Sequence, residues 1–507
     1  MTGSHKSPDV EFRRTRARAI GEHALQWYRE LCAADVGDKR PAFSGEVPCF
    51  DPSLGEEIWN VPESSQALID TYVVAAKAVQ ADWAALPAPK RARMLLACAD
   101  ALEQEKEALS EVLALETGKA LTHECRTEVG LPVEIFRYFA GLVHEIKGKT
   151  MQAAPGLMGF TTHHPWGVIA GVVPWNMPLM FMAYKVAAPL AAGNTVLIKM
   201  PEQATATLAM ALRIILPLLP NGTVRFVSGS GGGSGERLIS HLGVDKVSFT
   251  GSVDTGRSIY QRAAAHMRPV TLELGGKSPM IILEDCDIPK AVGGVLASMR
   301  FTRSGQSCTA SSRIYVPRNL MPEYKSALGE ALNALRLGDA LDTDTDCGPV
   351  VTRAQKTSID RYIELAKNDN LDVQAYGNSD DAVFERGFYV RPHLIFDPDH
   401  VHPVSQEEIF GPVATLSGYD GLGDALALAN GTQYGLSASI WGRDINACLT
   451  CAAAFRAGIV QINQNAIMLP GFSYGGVGIS GVGKESSLEA MLETYMYEKT
   501  NIVNFSG

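Results

Sequence analysis

Two side chains stand out as a workable covalent pair. Cys308 lies in Ser304-Gly305-Gln306-Ser307-Cys308-Thr309, after an apolar, helix-like run from Ala291 to Phe301. Glu273 opens Glu273-Leu274-Gly275-Gly276-Lys277-Ser278-Pro279, where an apolar strand from Val270 to Leu274 ends. A thiolate attacks a carbonyl carbon, and a carboxylate takes a proton from water. Strand ends of parallel sheets are where such groups collect. A lone cysteine, however, is more often a small buried apolar side chain than a nucleophile. A third candidate is the loop Ser228-Gly229-Ser230-Gly231-Gly232-Gly233-Ser234-Gly235, which follows a strand and opens a helix. Glycines let backbone amides approach a phosphate, and a helix N-terminus adds partial positive charge. Gly229, Gly231 and Gly235 are spaced one residue longer than the usual dinucleotide fingerprint. On spacing alone, nucleotide binding and a plain flexible loop stand level.

The wider pattern resembles the NAD(P)-dependent aldehyde dehydrogenase superfamily, from about Pro48 to the C-terminus. Seven motifs occur in the order of that family. They are Pro174-Trp175-Asn176-Met177-Pro178-Leu179, Lys199-Met200-Pro201-Glu202, the glycine loop, and Phe249-Thr250-Gly251-Ser252 with Gly256. Leu272-Glu273-Leu274-Gly275-Gly276-Lys277, Gly305-Gln306-Ser307-Cys308 and Glu407-Glu408-Ile409-Phe410-Gly411-Pro412 follow. The resemblance implies that Cys308 attacks an aldehyde as a thiolate. Asn176 and the Cys308 amide would hold the oxyanion, and Glu273 would activate the water that releases a carboxylic acid. Lys199 and Glu202 would meet the adenosine ribose, where a carboxylate favours NAD and repels the 2′-phosphate of NADP, the weaker alternative. Gly251 and Ser252 would meet the pyrophosphate, and Glu408 the nicotinamide ribose, with Phe410 beside it. Trp175 would line the cofactor passage; Phe249, Gly256 and Leu274 complete the implied cofactor set. Lys185 matches a family lysine, with a charge-tuning and a structural role both open.

The acyl pocket implied by position comprises Met177, Phe181, Tyr184, Ser307, Thr309, Met468 and Tyr474. Methionines and aromatics without an evident cation point to a bulky apolar aldehyde, aromatic or terpenoid-like. Arg303, close before the nucleophile, is the exception. The family's C-terminal stretch Pro-Phe-Gly-Gly-x-Lys-x-Ser-Gly reads here Ser473-Tyr474-Gly475-Gly476-Val477-Gly478-Ile479-Ser480-Gly481. Serine replaces its proline and glycine its lysine, which bears on specificity rather than chemistry. Two rivals share the resemblance: a coenzyme-A-acylating semialdehyde dehydrogenase, disfavoured by Glu273, and a catalytically silent member, disfavoured by Cys308, Glu273 and Asn176 together.

These residues need a scaffold of alternating strands and helices. Strands at Val168–Val173, Thr195–Ile198, Thr223–Val227 and Lys246–Phe249 are each followed by a helix, the signature of a parallel sheet covered on both faces. The expected fold is α/β and aldehyde dehydrogenase-like. A Rossmann-type NAD-binding domain spans 1–144 and 163–270, and an α/β catalytic domain spans 271–484. A small oligomerisation β-element combines 145–162 with 485–507, implying a homodimer or homotetramer. Before the first of these strands, helices are expected at Ser65–Trp83 and Lys90–Leu115.

Composition agrees with a soluble globular enzyme. The 507 residues carry 45 basic and 55 acidic side chains, a net charge of −10, which argues against nucleic acid as a partner. Nine cysteines, an odd number in a long chain, suit a reducing cytoplasm better than a disulfide scaffold. The uncharged run Gly167–Tyr184 contains Pro174, Asn176 and Pro178, so it reads as a strand, a turn and a helix start rather than a membrane span. No metal site is expected. Cys448 and Cys451 fall in an alanine-rich helix, the histidine pairs at 163–164 and 400–402 lack partners, and the calcium-like run from Asp342 to Asp346 lacks the glycine and glutamate it needs.

Overall fold

The computed structural model describes residues 8–37, 40–379, 381–397, 399–465 and 468–505. Five parallel strands form the sheet of the first large unit, ordered Val270–Glu273, Lys246–Thr250, Val168–Val172, Thr195–Lys199, Val224–Val227, with Gly481–Val482 added antiparallel beside Val270–Glu273. The chain starts in the middle with Val168–Val172, winds outward on one side, then returns to the other. Neighbouring helices therefore diverge at the C-terminal ends of Val168–Val172 and Lys246–Thr250, leaving a crevice at that switch in winding.

The helix Pro178–Ala191 covers this sheet and is buried along its whole length. Its start is set by Pro178, whose fixed φ suits a first helical position. Its single charge, Lys185, reaches Glu485 Oε1 at 2.7 Å and Ser248 Oγ at 2.8 Å, so the buried ammonium is fully answered. Lys185 is thus tied into the core between helix and sheet.

A second sheet of seven strands is ordered Asp372–Ala375, His393–Phe396, Val413–Tyr419, Arg313–Pro317, Pro279–Ile282, Ser437–Trp441, Ile459–Ile462, parallel except for the first. The domain boundary expected at 270/271 falls inside the strand Val270–Glu273, and Gly481–Val482 crosses back to the first sheet. The hairpin Thr150–Ala154 and Leu157–Pro165 pairs with Met496–Asn504, joining the two distant pieces expected to lie outside the main sheets.

Two elements depart from the sequence reading. The segment Lys90–Leu115 is two helices, Ala88–Gln104 and Lys106–Thr117, broken at Glu105. Ahead of them stand a 29-residue helix, Pro8–Val36, and the hairpin Phe43–Asp51 with Glu56–Ser64. The helix is studded with arginines, which masks its buried stripe of Ala17, Ala24, Leu25, Tyr28 and Cys32. Cys448 and Cys451 are buried in the helix Ile445–Ala454.

Candidate active site

Strand ends deliver most of the site. Val168–Val172 runs into Val173-Pro174-Trp175-Asn176, Thr195–Lys199 ends on Lys199, and Lys246–Thr250 runs into Gly251-Ser252. Val270–Glu273 ends on Glu273. Three cavities follow from this. One, of about 280 Å³, is walled by Lys199, Glu202, Gly231, Gly235 and Phe249. It shares Pro174, Trp175, Thr250 and Gly251 with a second, of about 220 Å³, walled also by Ser252, Glu273, Leu274, Glu408 and Phe410. A third, of about 160 Å³, is walled by Met177, Met180, Phe181, Ser307, Thr309, Met468 and Tyr474. Among the described residues, only Asn176 and Cys308 belong to both the second and the third.

A tight loop presents Cys308. Arg300, Ser304 and Gly305 all have positive φ, at 52°, 55° and 69°. At Gly305 a Cβ would sit 2.1 Å from the Gly411 carbonyl oxygen, so only glycine fits there. Gln306 braces the loop, donating to Arg303 O at 2.9 Å and accepting from Val351 N at 3.0 Å. Asn176 Nδ2 donates one N–H to Gln306 O at 3.1 Å, which fixes the amide beside Cys308 and leaves its second N–H for another acceptor. The Cys308 Sγ lies 3.1 Å from the Tyr474 hydroxyl. Burial pushes the thiol up to about 11 against the pull of that hydroxyl.

Glu273 is buried, and neither side-chain oxygen meets a hydrogen-bond partner among the described residues. Burial and then the Glu485 carboxylate push its carboxyl well above the usual range, opposed by Lys185 and Lys484. At Gly475, φ is +149° and a Cβ would sit 2.5 Å from Glu273 Oε1, so glycine keeps the space beside the carboxylate open. Glu408 accepts from Gly276 N at 2.8 Å, and burial pushes it up to about 7. The rings of Trp175 and Phe410 meet edge-on, 5.4 Å apart, across the second cavity.

A half-buried thiol, an orphaned carboxylate and a side-chain amide around one point form the apparatus of acyl chemistry. The aldehyde dehydrogenase family model matches residues 40–501. The chain belongs to the aldehyde dehydrogenase family. A Bacillus subtilis relative named as an aldehyde dehydrogenase, DhaS, is 33% identical over 470 residues, 92% of this chain and 94% of that protein. The crystal structure of a Burkholderia cenocepacia aldehyde dehydrogenase superposes with a TM-score of 0.88 at 33% identity, covering 91% of this chain and 95% of the other. The NAD+ complex of a Bacillus cereus aldehyde dehydrogenase gives 0.87 at 32% identity, covering 91% and 94%.

Within this family member, several expected site residues stand elsewhere. In the glycine loop, several amides are already taken by side chains. Ser230 N and Ser234 N donate to Glu63, at 3.1 and 2.7 Å, and Gly231 N donates to Glu202 at 3.0 Å. Gly229, φ +115°, backs onto Glu63, so of the three glycines Gly231 and Gly235 alone reach the cavity wall. Gly256 packs on Leu274, where a Cβ would come within 2.4 Å. Ser252, by contrast, stays on the wall of the second cavity, where its Oγ caps the helix Val253–Ala264. Tyr184 is not a wall of the acyl cavity; it accepts from Ser486 Oγ at 2.9 Å and packs against Phe139 behind it.

The acyl cavity is also more polar than its apolar residues imply. Glu124, Thr127, Glu128, Arg300 and Arg303 complete its wall. Arg303 pairs with Glu124 at 3.0 Å, and Glu128 pairs with the buried Lys119. Glu124 is held below the usual carboxylate range by Arg303 and Arg300 against a larger opposing burial. Sequence reasoning missed Glu63, Glu124 and Arg300 because each meets its partners only through the fold.

Proposed function

We propose that this chain oxidises an aldehyde to the carboxylic acid with NAD, through a covalent bond to Cys308. The observation that carries this reading is the pair Asn176 and Cys308, the walls common to the acyl cavity and the neighbouring cavity. The donor set fits NAD. Lys199 and Glu202, 3.6 Å apart, face the outer cavity beside a second carboxylate, Glu63, which suits a ribose diol and opposes a 2′-phosphate. Trp175, Gly251, Glu408 and Phe410 would hold the inner half.

The Cys308 thiolate attacks the carbonyl carbon, and the Asn176 amide with the Cys308 N–H receives the charge on oxygen. The chemistry NAD supplies when bound is a hydride acceptor, which the chain itself lacks. Glu273 takes a proton from water, and the resulting hydroxide breaks the Cys308 thioester to release the acid. Its unpartnered carboxylate supports hydrolysis over transfer to coenzyme A.

A dry cavity of about 150 Å³ admits a guest the size of benzene. The 160 Å³ acyl cavity therefore favours a one-ring aldehyde over a terpenoid one, with a hydrogen-bond acceptor on the side of Arg300 and Arg303. The free state of all nine cysteines supports action in a reducing cytoplasm. The exposed edge strand Thr150–Ala154 supports assembly of copies through the three-stranded sheet. The test is NADH formation with benzaldehyde, 4-carboxybenzaldehyde and a long terpenoid aldehyde, with and without coenzyme A. The reading expects acid as product and kcat/KM highest for the one-ring compounds. Acyl-CoA as the main product, or turnover undiminished in Cys308→Ala, overturns it.

A further inference from the structure

We propose that the Tyr474 hydroxyl is a catalytic hydrogen-bond donor to the Cys308 sulfur, stabilising the thiolate that opens the reaction. The inference rests on Cys308 being the nucleophile and assigns a role to a residue that position alone makes a pocket wall. The oxygen–sulfur distance is 3.1 Å, short for a hydrogen bond to sulfur. Once the thiol has lost its proton, sulfur can only accept, so the phenol must be the donor.

The backbone and ring of Tyr474, which aim the hydroxyl, are held in place. Tyr474 N donates to Glu485 O at 2.8 Å, and Glu485 N donates back to Tyr474 O at 2.7 Å. Glu485 is itself fixed by Lys185 and Ser248. The Tyr474 ring packs edge-on against Phe181, with centroids 6.2 Å apart. A donor fixed in this way costs no reorganisation when the sulfur becomes charged.

The charged groups that face Cys308 besides Tyr474 are Glu408 and Glu273, which oppose a thiolate, and Arg303, which favours it. Arg303 is already paired with Glu124. The phenol is therefore the direct hydrogen-bond partner available to a thiolate surrounded by two carboxylates. Burial, Cys308 and Glu273 push the Tyr474 phenol well up, so it keeps its proton throughout. During attack the sulfur–carbon bond forms, the carbonyl π pair moves to oxygen, and no proton leaves Tyr474.

The family stretch has phenylalanine where this chain has Tyr474, so Tyr474→Phe removes the hydroxyl and keeps the ring against Phe181. A hydrogen bond to a charged acceptor lowers an acid's pKa by about one unit or more. A thiol one unit lower is about tenfold more ionised at neutral pH but about threefold less nucleophilic per thiolate. The variant should then react about threefold more slowly at pH 7 and about threefold faster on the alkaline plateau.

The measurement is the rate of iodoacetamide alkylation against pH, without aldehyde or NAD and mapped to the Cys308 peptide, for the wild type and Tyr474→Phe. The inference expects the midpoint of the curve to move up by about one pH unit and the two curves to cross above it. Superimposable curves, or a loss of rate with an unmoved midpoint, overturn it. Turnover by Cys308→Ala, measured alongside, reads the nucleophile assignment separately. If that variant is inactive while the alkylation curves coincide, the nucleophile stands and the role of Tyr474 falls.

Discussion

On the cofactor side of Cys308 the wall is made by the ends of neighbouring parallel strands, whereas on the acyl side it is made by helix faces and loops drawn from distant stretches. Trp175, Thr250, Gly251 and Glu273 each follow directly from where a strand stops. Glu124, Thr127, Met180, Arg300 and Tyr474 come from separate segments whose meeting depends on packing. The first wall is fixed by backbone and carries the shared chemistry. The second is fixed by side chains and, in the proposed function, selects the aldehyde.

The largest expected effect tests the cofactor-side wall. Glu273→Gln keeps the shape but cannot accept a proton, so acid release should fall by about a thousandfold. In the wild type, a carboxyl raised by burial is protonated below its elevated pKa and cannot act as base there. Release should therefore increase as pH rises through that value, and the variant should be flat; stopped-flow NADH bursts measured across pH check both. Asn176→Ala, at the junction of the two walls, should lower kcat by about a hundredfold or more, with smaller change in KM. A purely acyl-side role would raise KM instead.

Smaller effects sharpen the outer end. Glu202→Ser removes one of two carboxylates near Lys199, so the NAD over NADP preference in kcat/KM should relax by about tenfold, with Glu63 maintaining part of it. Unchanged selectivity would remove Glu202 from the ribose site.

The difference between the walls also explains what was legible in the sequence. Alternating strands and helices from Val168 onward predicted the sheet; the structure sets Glu273 and Asn176 at or just past its strand ends and Cys308 on a loop that lines the same cavity. Of the glycine loop, Gly231 and Gly235 wall the outer cavity, but glycines report backbone freedom, not the acceptor they face, and Glu63, from a distant hairpin, takes the Ser230 and Ser234 amides. Tyr184 was assigned to the pocket by position alone, and only the fold shows it turned toward Phe139 and Ser486. The apolar reading of the acyl site likewise missed Arg300 and Glu124, whose helix and loop meet through tertiary packing. The first helix escaped notice because its arginines, including Arg14 paired with Asp51 and Asp339, hide an amphipathic stripe.

The most direct test of the account is mass spectrometry of Glu273→Gln quenched after mixing with NAD and a one-ring aldehyde. The account predicts one acyl group on the peptide carrying Cys308, a gain equal to the mass of the aldehyde less two hydrogens, one lost as hydride and one from the thiol. Acid released at the wild-type rate with Cys308 unmodified would contradict it.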